Sequence, residues 1–452
     1  MQASPAPAIP APRLFPLAWP LFLELCLGIA VGLVGTLLAA RVSDAAGAAF
    51  ALANHVAGTL FILFRIIGAG ISVVITQSLG GGQRARADAS ARAALGASSW
   101  IGGLTALAAA VAAAPLLRLM NAPAELLPLA VPLLQWLAPA MLLDAWNAAM
   151  ASVMRAHLRG RDTLAVLVVM QCLQLSLAVP LMQQFGLPGF ALSLLASRGL
   201  GLGLHLWLWR ARLSLRPGWR DWWRLPRQEL GAILHIGLPG AAENIAYRLA
   251  FMVSIAVAGQ LGATALATHS YVSQLMYFVL LFGLATGFAA EIVVGHLIGA
   301  GRLHDAHRLV RRALARGLVV SVVVATAAAM ASPWLLRGFT QDAAIIAQGV
   351  TLMALTVLLE PGRTFNLVVI NALRAAGDAR YPVMVGAGSM LIVLAGGSWL
   401  LGERLGLGLA GIWIAYAADE WLRGLLMWRR WAALGWVPHA RAARRRLRAA
   451  RH

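Results

Sequence analysis

Long apolar runs, each of about 20 residues or more, follow one another along the chain and are broken by short stretches rich in Gly, Pro, Asp and Arg. Nowhere do apolar and polar residues alternate strictly, so the runs predict helices and not strands. A helix needs about 20 apolar residues to cross a bilayer, and only helices or closed barrels satisfy their backbone there. Twelve spans are predicted, over residues 14–40, 48–79, 93–117, 125–153, 163–183, 187–209, 231–259, 264–298, 313–336, 343–372, 381–401 and 407–430. The breaks carry turn chemistry, as in GGGQRARAD, RAHLRGRD, GAGRLHDAHR and RAAGDARYP. The longest, residues 210–230, falls midway and is expected to be an amphipathic cytoplasmic linker.

Composition strengthens this picture. Hydrophobic residues make up 60% of the 452 and charged ones only 12%, with a mean hydropathy of +0.76. Soluble chains carry about 25% charged residues, so a disordered protein and an ordinary soluble enzyme are both excluded. All 37 basic residues are Arg, and they are segregated. Twenty-eight lie in the even-numbered breaks and the two tails. Only Arg41, Arg118, Arg337 and Arg404 lie in the odd-numbered breaks, and Arg65, Arg198, Arg248, Arg363 and Arg423 fall within spans. Arginine excess marks the cytoplasmic side, which puts both termini there. The net charge of +20 is therefore a topology signal. No basic groove with interleaved aromatics exists, so nucleic acid is not an expected partner, and the Arg-rich tail is expected to meet anionic lipid headgroups. Cys26 and Cys172 both sit in apolar runs, with no disulfide or metal spacing. Residues 1–13 lack the basic cluster of a signal peptide and are expected to be retained as a cytoplasmic tail.

The chain also repeats itself. An offset of 219 carries Pro20 onto Pro239, Glu24 onto Glu243, Gly68 onto Gly287, Gly80 onto Gly299 and Gly82 onto Gly301. An offset of 216 carries Asp144 onto Glu360 and Asp162 onto Asp378, while Arg198-Gly199-Leu200 and Arg423-Gly424-Leu425 mark the sixth helix of each half. The expected architecture is an all-α membrane protein. Its twelve transmembrane helices form two parallel-repeat six-helix bundles, residues 14–209 and 231–430, around a central cleft, with an Arg-rich tail at 431–452. Two bundles that rock about a midplane cleft make a transporter.

The openings of the two halves, LAWPLFLELCLGIAVGLVGTLLAARV and IGLPGAAENIAYRLAFMVSIAVAGQLGATALATHSY, resemble the paired first and seventh helices of the MATE (multidrug and toxic compound extrusion) family. SLGGGQRARA, HLIGAGRLHDA, MRAHLRGRDT and INALRAAGDARYP are similar to that family's loop signatures. The resemblance runs from about residue 14 to 432. LLEPGRTFNLVVINALRAAGDARYP and AADEWLRG resemble one bacterial subgroup. It implies export of amphipathic compounds across a bacterial inner membrane, driven by inward flow of H+ or Na+, with no other cofactor and a monomer as the expected unit. Two positions depart from the family. The Asp that many members carry in the first helix is Gly35 here, and the seventh-helix Glu of several members is Tyr247. Ion coupling must then fall on other acids.

An ionisable group at the bilayer centre costs about 2.5–3.5 kcal/mol on insertion scales, so it faces protein or water and usually has a partner. The embedded acids are Glu24, Asp144, Glu243, Glu291, Glu360, Asp419 and Glu420. Glu24 and Glu243 follow a Pro by four residues in the first helix of each half. They read either as coupling acids in the cleft or as braces between helices. Glu360 has Arg363 three residues on, next to Pro361, which suits a gate or a brace. Asp419 or Glu420 pairs with Arg423 along one helix. Arg65 and Arg248 have no acid at helical spacing, and Glu24 and Glu243 are the candidate partners. A free Arg in the cleft would suit an anionic group on the substrate. No P-loop, HExxH or GxSxG is present, so no enzyme chemistry is expected. The rival readings are a lipid-linked glycan flippase of related architecture and a membrane-embedded transferase.

Overall fold

A computed structural model describes residues 13–119, 122–225 and 227–449; within these, the side chains of 61–63, 65–67, 69, 228, 229 and 447–449 lie outside the description. Arg65 is therefore described only as backbone, and of the tail at residues 1–13 only Arg13 is described. Among the described residues the secondary structure is all helical, without a strand.

The long helices run in chain order as α1 (Phe15–Val42), α2 (Asp44–Gly80), α3 (Arg84–Val111) with the short α4 (Ala113–Leu119), α5 (Leu127–Ala156), α6 (Gly160–Phe185) and α7 (Leu187–Leu208). After the linker come α8 (Arg227–Gln260), α9 (Ala263–Gly299), α10 (Leu303–Arg337), α11 (Ala343–Ala375), α12 (Arg380–Ser389, continued by π-helical turns to Arg404), α13 (Gly408–Ala432) and α14 (Val437–Ala449). Ten of these segments are long and apolar enough to cross a membrane. α2 and α13 are not among the ten: part of α2 lies outside the description, and α13 carries Asp419, Glu420 and Arg423.

Local chemistry sets the helix ends. Ser43 accepts from the Ala46 amide and caps α2, and Asp342 accepts from the Ala344 amide and caps α11. α5 and α11 both end in a turn that needs a left-handed residue. Gly377 supplies it after α11 at φ +86°, and Leu158 adopts the same conformation after α5 at φ +63° despite its Cβ.

The apolar cores reveal how the helices assemble. Near the ends of α2 and α9, the cores are mixed. Leu17 and Leu21 of α1 join a cluster made by α9, α10, α11 and α13, and Ile233 of α8 joins one made by α2, α3, α5 and α7. Toward the opposite ends of the helices the cores are separate. One contains only residues between Ala39 and Ala191, the other only residues between Ala250 and Ala417. Residues 15–208 and 227–432 thus share a core at one end only.

The shared end is held by close helix crossings. A Cβ on Gly80 would run into the His296 carbonyl, and one on Gly299 into the Gln77 carbonyl. A Cβ on Gly295 would meet Thr76. The linker is docked rather than loose: Arg84 donates to the Leu213 carbonyl at 2.7 Å, Trp100 to the Trp223 carbonyl at 3.0 Å, and Gly96 of α3 lies against the Arg224 carbonyl.

Gly80→Ala is expected to force α2 and α9 apart at a cost of about 1–3 kcal/mol, the usual range for overpacking. The melting temperature in detergent should fall for this variant and stay unchanged for substitution of the exposed His304.

Candidate functional site

Three groups of embedded charges can be built up from the helices that carry them. In the first, Glu24 of α1 accepts from Arg155 Nη1 at 3.0 Å and from Thr163 Oγ1 at 2.6 Å. Arg155, in the last turn of α5, also donates to Ser152 Oγ at 3.1 Å. The second group is its counterpart: Arg374, in the last turn of α11, pairs with Glu243 of α8. In both pairs the partners are 131 residues apart, and each member of the second lies 219 residues after its equivalent in the first.

The expectation that Arg248 is a partner of Glu243 is corrected; that of Arg65 with Glu24 lies outside the described side chains. The observed partners of the two glutamates are Arg155 and Arg374, which the arginine count had assigned to loops. Each of these Arg residues is still helical, so its side chain reaches sideways to the neighbouring helix. The signal was present, because the offset that superposes the glutamates also superposes these arginines. Arg248 is exposed on α8, and Arg65 lies outside the described side chains.

Above the Glu24 pair, a cavity of about 410 Å³ opens between α1, α2, α5, α6 and α7. Glu24, Arg155 and Thr163 line it together with Asp144 and Arg198. Arg198 of α7 donates to Asp144 Oδ1 at 2.7 Å and to Gln174 Oε1 at 3.1 Å. Asn147 donates to the carbonyls of Leu143 and Arg198, so its Oδ1 is left to accept from His205 Nδ1 at 2.9 Å. Each acid in this wall has an arginine, and the apolar remainder is supplied by Phe50, Met141, Met170 and Phe190. Such a mixed wall holds an amphipathic molecule with a few directed polar contacts.

The third group is sealed. Arg363 Nη1 donates to Glu360 at 2.6 Å and its Nε to Glu420 at 3.3 Å. Arg423 lies 2.6 Å from Asp419 and 3.0 Å from Glu420. Asn366 donates to Glu420 at 2.9 Å, and Ser389 to Asp419 at 2.6 Å. All five charged residues are at most 5% exposed. Tyr247 stands beside the cluster, within electrostatic range of Arg363, and stacks on Phe251. Three carboxyl groups face two guanidinium groups here. If all were ionised, one negative charge would remain in a dry site, which is costly without a counter-charge. A proton or a monovalent cation removes that excess.

The expected i, i+3 pairing of Glu360 with Arg363 and the pairing within α13 are both present. The sequence reading missed that the two pairs form one network joined by Arg363 and Glu420. The alignment of Asp144 with Glu360 is also corrected. Asn147 and Asn366, like Leu158 and Gly377, hold equivalent places at the 219 offset, so Asp144 corresponds to Arg363. The ion pair between α5 and α7 is thus repeated between α11 and α13 with its polarity reversed, Asp144 to Arg198 becoming Arg363 to Glu420. Glu291 is buried in α9.

Comparison with known proteins places this geometry in a wider setting. A family model described as MatE matches the chain twice, at residues 20–179 and 239–399. An uncharacterized transporter, YisQ, from Bacillus subtilis strain 168 is 33% identical over 430 residues, 94% of each chain. A probable multidrug resistance protein NorM from Rhodopseudomonas palustris is 26% identical, over 91% of this chain and 90% of its own length. In fold, the chain is similar to the Vibrio cholerae MATE transporter VcmN in its bent form, with a TM-score of 0.86 over 95% of this chain and 97% of that one, at 19% identity.

Removing one member of a buried charge network costs about 3–5 kcal/mol, because the partner stays buried and unpaired. Arg423→Gln is expected to lose stability on that scale, whereas Arg308→Gln, at a solvent-exposed pair with Asp305, should leave it nearly unchanged. Thermal unfolding of the two purified variants beside the wild type checks this.

Proposed function

Because the chain belongs to the MATE family, we propose that this transporter is a secondary antiporter that exports amphipathic small molecules in exchange for H+ or Na+ by alternating access. The observation that carries the reading is the sealed cluster around Arg363, with one more acid than base, set apart from an open cavity whose acids are all matched. The division of labour follows from that contrast. The cavity beside α1, α5 and α7 takes the substrate, and the Glu360–Asp419–Glu420 group takes the coupling ion. Glu24 and Glu243 then brace α1 and α8 against the ends of α5 and α11.

The same reading includes the finer architecture: twelve spans in two six-helix halves, 14–209 and 231–430, joined by the linker at 210–230 and flanked by cytoplasmic tails. Recurrence of the Glu24–Arg155 pair as Glu243–Arg374, and the double match of the family model, support it. The Arg-rich end, where the cores are shared, is the cytoplasmic side of a bacterial inner membrane, so the cleft between the halves opens outward. A monomer bearing substrate, ion and surrounding lipid suffices for the cycle, with no further cofactor. The multidrug-resistance names of the NorM relatives favour drug-like substrates over a lipid-linked glycan.

In proteoliposomes, an imposed gradient of pH or sodium should drive efflux of an amphipathic dye, and replacing sodium by choline separates the two ions. Glu360→Gln leaves two acids facing two arginines, so the protein should fold at least as well as the wild type while losing gradient-driven efflux. Efflux by that variant with undiminished dependence on the gradient would sink the assignment of the coupling site.

A further inference from the structure

The last carbonyls of α5 and α11 are left over by their own helices. After α5, the Leu158 amide returns to the Arg155 carbonyl and the Arg159 amide to Met154; after α11, Gly377 returns to Arg374 and Asp378 to Leu373. These returns pass over Ala156 and Ala375, whose carbonyls need other donors. Each finds one on a helix from the other half of the chain. His296 of α9 donates from Nε2 to the Ala156 carbonyl at 2.8 Å, and Gln77 of α2 donates from Nε2 to the Ala375 carbonyl at 2.8 Å.

The two bonds are one motif used twice, since Gln77 and His296, like Ala156 and Ala375, are 219 residues apart. The crossing between them obeys the same rule. Gly80 lies against the His296 carbonyl and Gly299 against the Gln77 carbonyl, while Thr76 and Gly295, again 219 apart, meet each other. A pseudo-twofold axis therefore passes between Thr76 and Gly295, and the two hydrogen bonds flank it. They are also joined to the paired glutamates. Ala156 follows Arg155, which holds Glu24 at the cavity, and Ala375 follows Arg374, which holds Glu243.

We infer that Gln77 and His296 are positioning residues of the transport cycle: twin latches that hold the halves together at the Arg-rich end and must release before the cavity can open there. The inference rests on the two-half reading above. Side chains suit this task, because a side-chain amide or imidazole swings away and meets water when the halves part, while the helices stay intact. Backbone contact at the glycines sets how near the halves come, and the latches set how long they remain. A change at the cavity floor that moves Arg155 also moves the neighbouring Ala156 carbonyl and so disturbs one latch.

The test uses the full chain with Cys26 and Cys172 replaced by Ser and spin labels at A85C and H304C, two exposed positions that are themselves 219 apart. Label-to-label distances are measured without substrate or gradient. The double variant Gln77→Ala/His296→Ala should shift population toward longer distances, by on the order of fivefold in the open-to-closed ratio for each bond lost. His296→Gln keeps a donor and should retain the wild-type distribution. Each single Ala variant should give about half the logarithmic shift, which serves if the double variant does not fold. An unchanged distribution in the Ala variants, or an equal shift in His296→Gln, would overturn the inference. The distances do not depend on transport, so a chain that proved not to exchange ions would still report on the latch.

Discussion

A charge withdrawn from water into a bilayer-spanning bundle must find its opposite, and the helix arrangement follows from that demand. Glu24 lies on α1 and its arginine ends α5; Glu243 lies on α8 and its arginine ends α11. These pairs tie α1 and α8, each of which also reaches the core of the other half, to helices that border the same shared end. Their apolar surroundings contribute little direction, because lipid and helix are similarly oily. The directed bonds, together with the glycine crossings, are what distinguish this packing from other ways of laying apolar helices side by side.

The helices themselves were legible in the sequence. Their length and apolar content, and the turns that separate them, need only local chemistry, and the predicted spans lie along the observed helices. Embedded acids and arginines were legible as candidates for the same reason. What could not be read locally was who faces whom. Glu24 has several arginines within its half, and nothing near residue 24 selects Arg155. The register error has a related cause. Sliding α5 by three residues turns it by about 300° and so nearly restores its face. An offset of 216 thus matches the apolar pattern almost as well as one of 219. Polar contacts break the tie: Asn147 and Asn366 both donate across to the α7 or α13 helix, and both α5 and α11 end in a left-handed turn.

Once the register is set, positions matched at the 219 offset prove to be unlike in charge, as Asp144 and Arg363 are. Asp144 with Arg198 faces a cavity, so each is partly solvated and balanced by the other. Arg363 with Glu420 is sealed, and Glu360, Asp419 and Arg423 have gathered around it. Duplication supplies two equivalent frames, and substitution of a few polar residues gives each frame its own task. On the proposed reading, a matched pair in a roomy pocket leaves the substrate to supply the discriminating contacts. An unmatched acid in a dry pocket instead demands a small cation, since no bulky group can enter. Gly35 fits this arrangement: a Cβ there would press on Phe50 and Phe190, so apolar packing occupies the position where the family resemblance led to the expectation of an acid.

The same symmetry explains why the shared end can act as a unit. On the inferred pseudo-twofold axis the close approaches come in matched pairs, Gly80 on the His296 carbonyl and Gly299 on the Gln77 carbonyl, so neither can part without the other being disturbed. Thr76 and Gly295 show how far divergence is tolerated there. The crossing admits one side chain on the axis, and Thr76 fills the space that Gly295 leaves empty. Two threonines would collide; two glycines would leave a gap. At this crossing the pair on the axis therefore differs between the halves, while Gly80 and Gly299, off the axis, are alike. The departure from internal repetition at Thr76 and Gly295 therefore follows from close packing itself and need not imply a difference in function between α2 and α9.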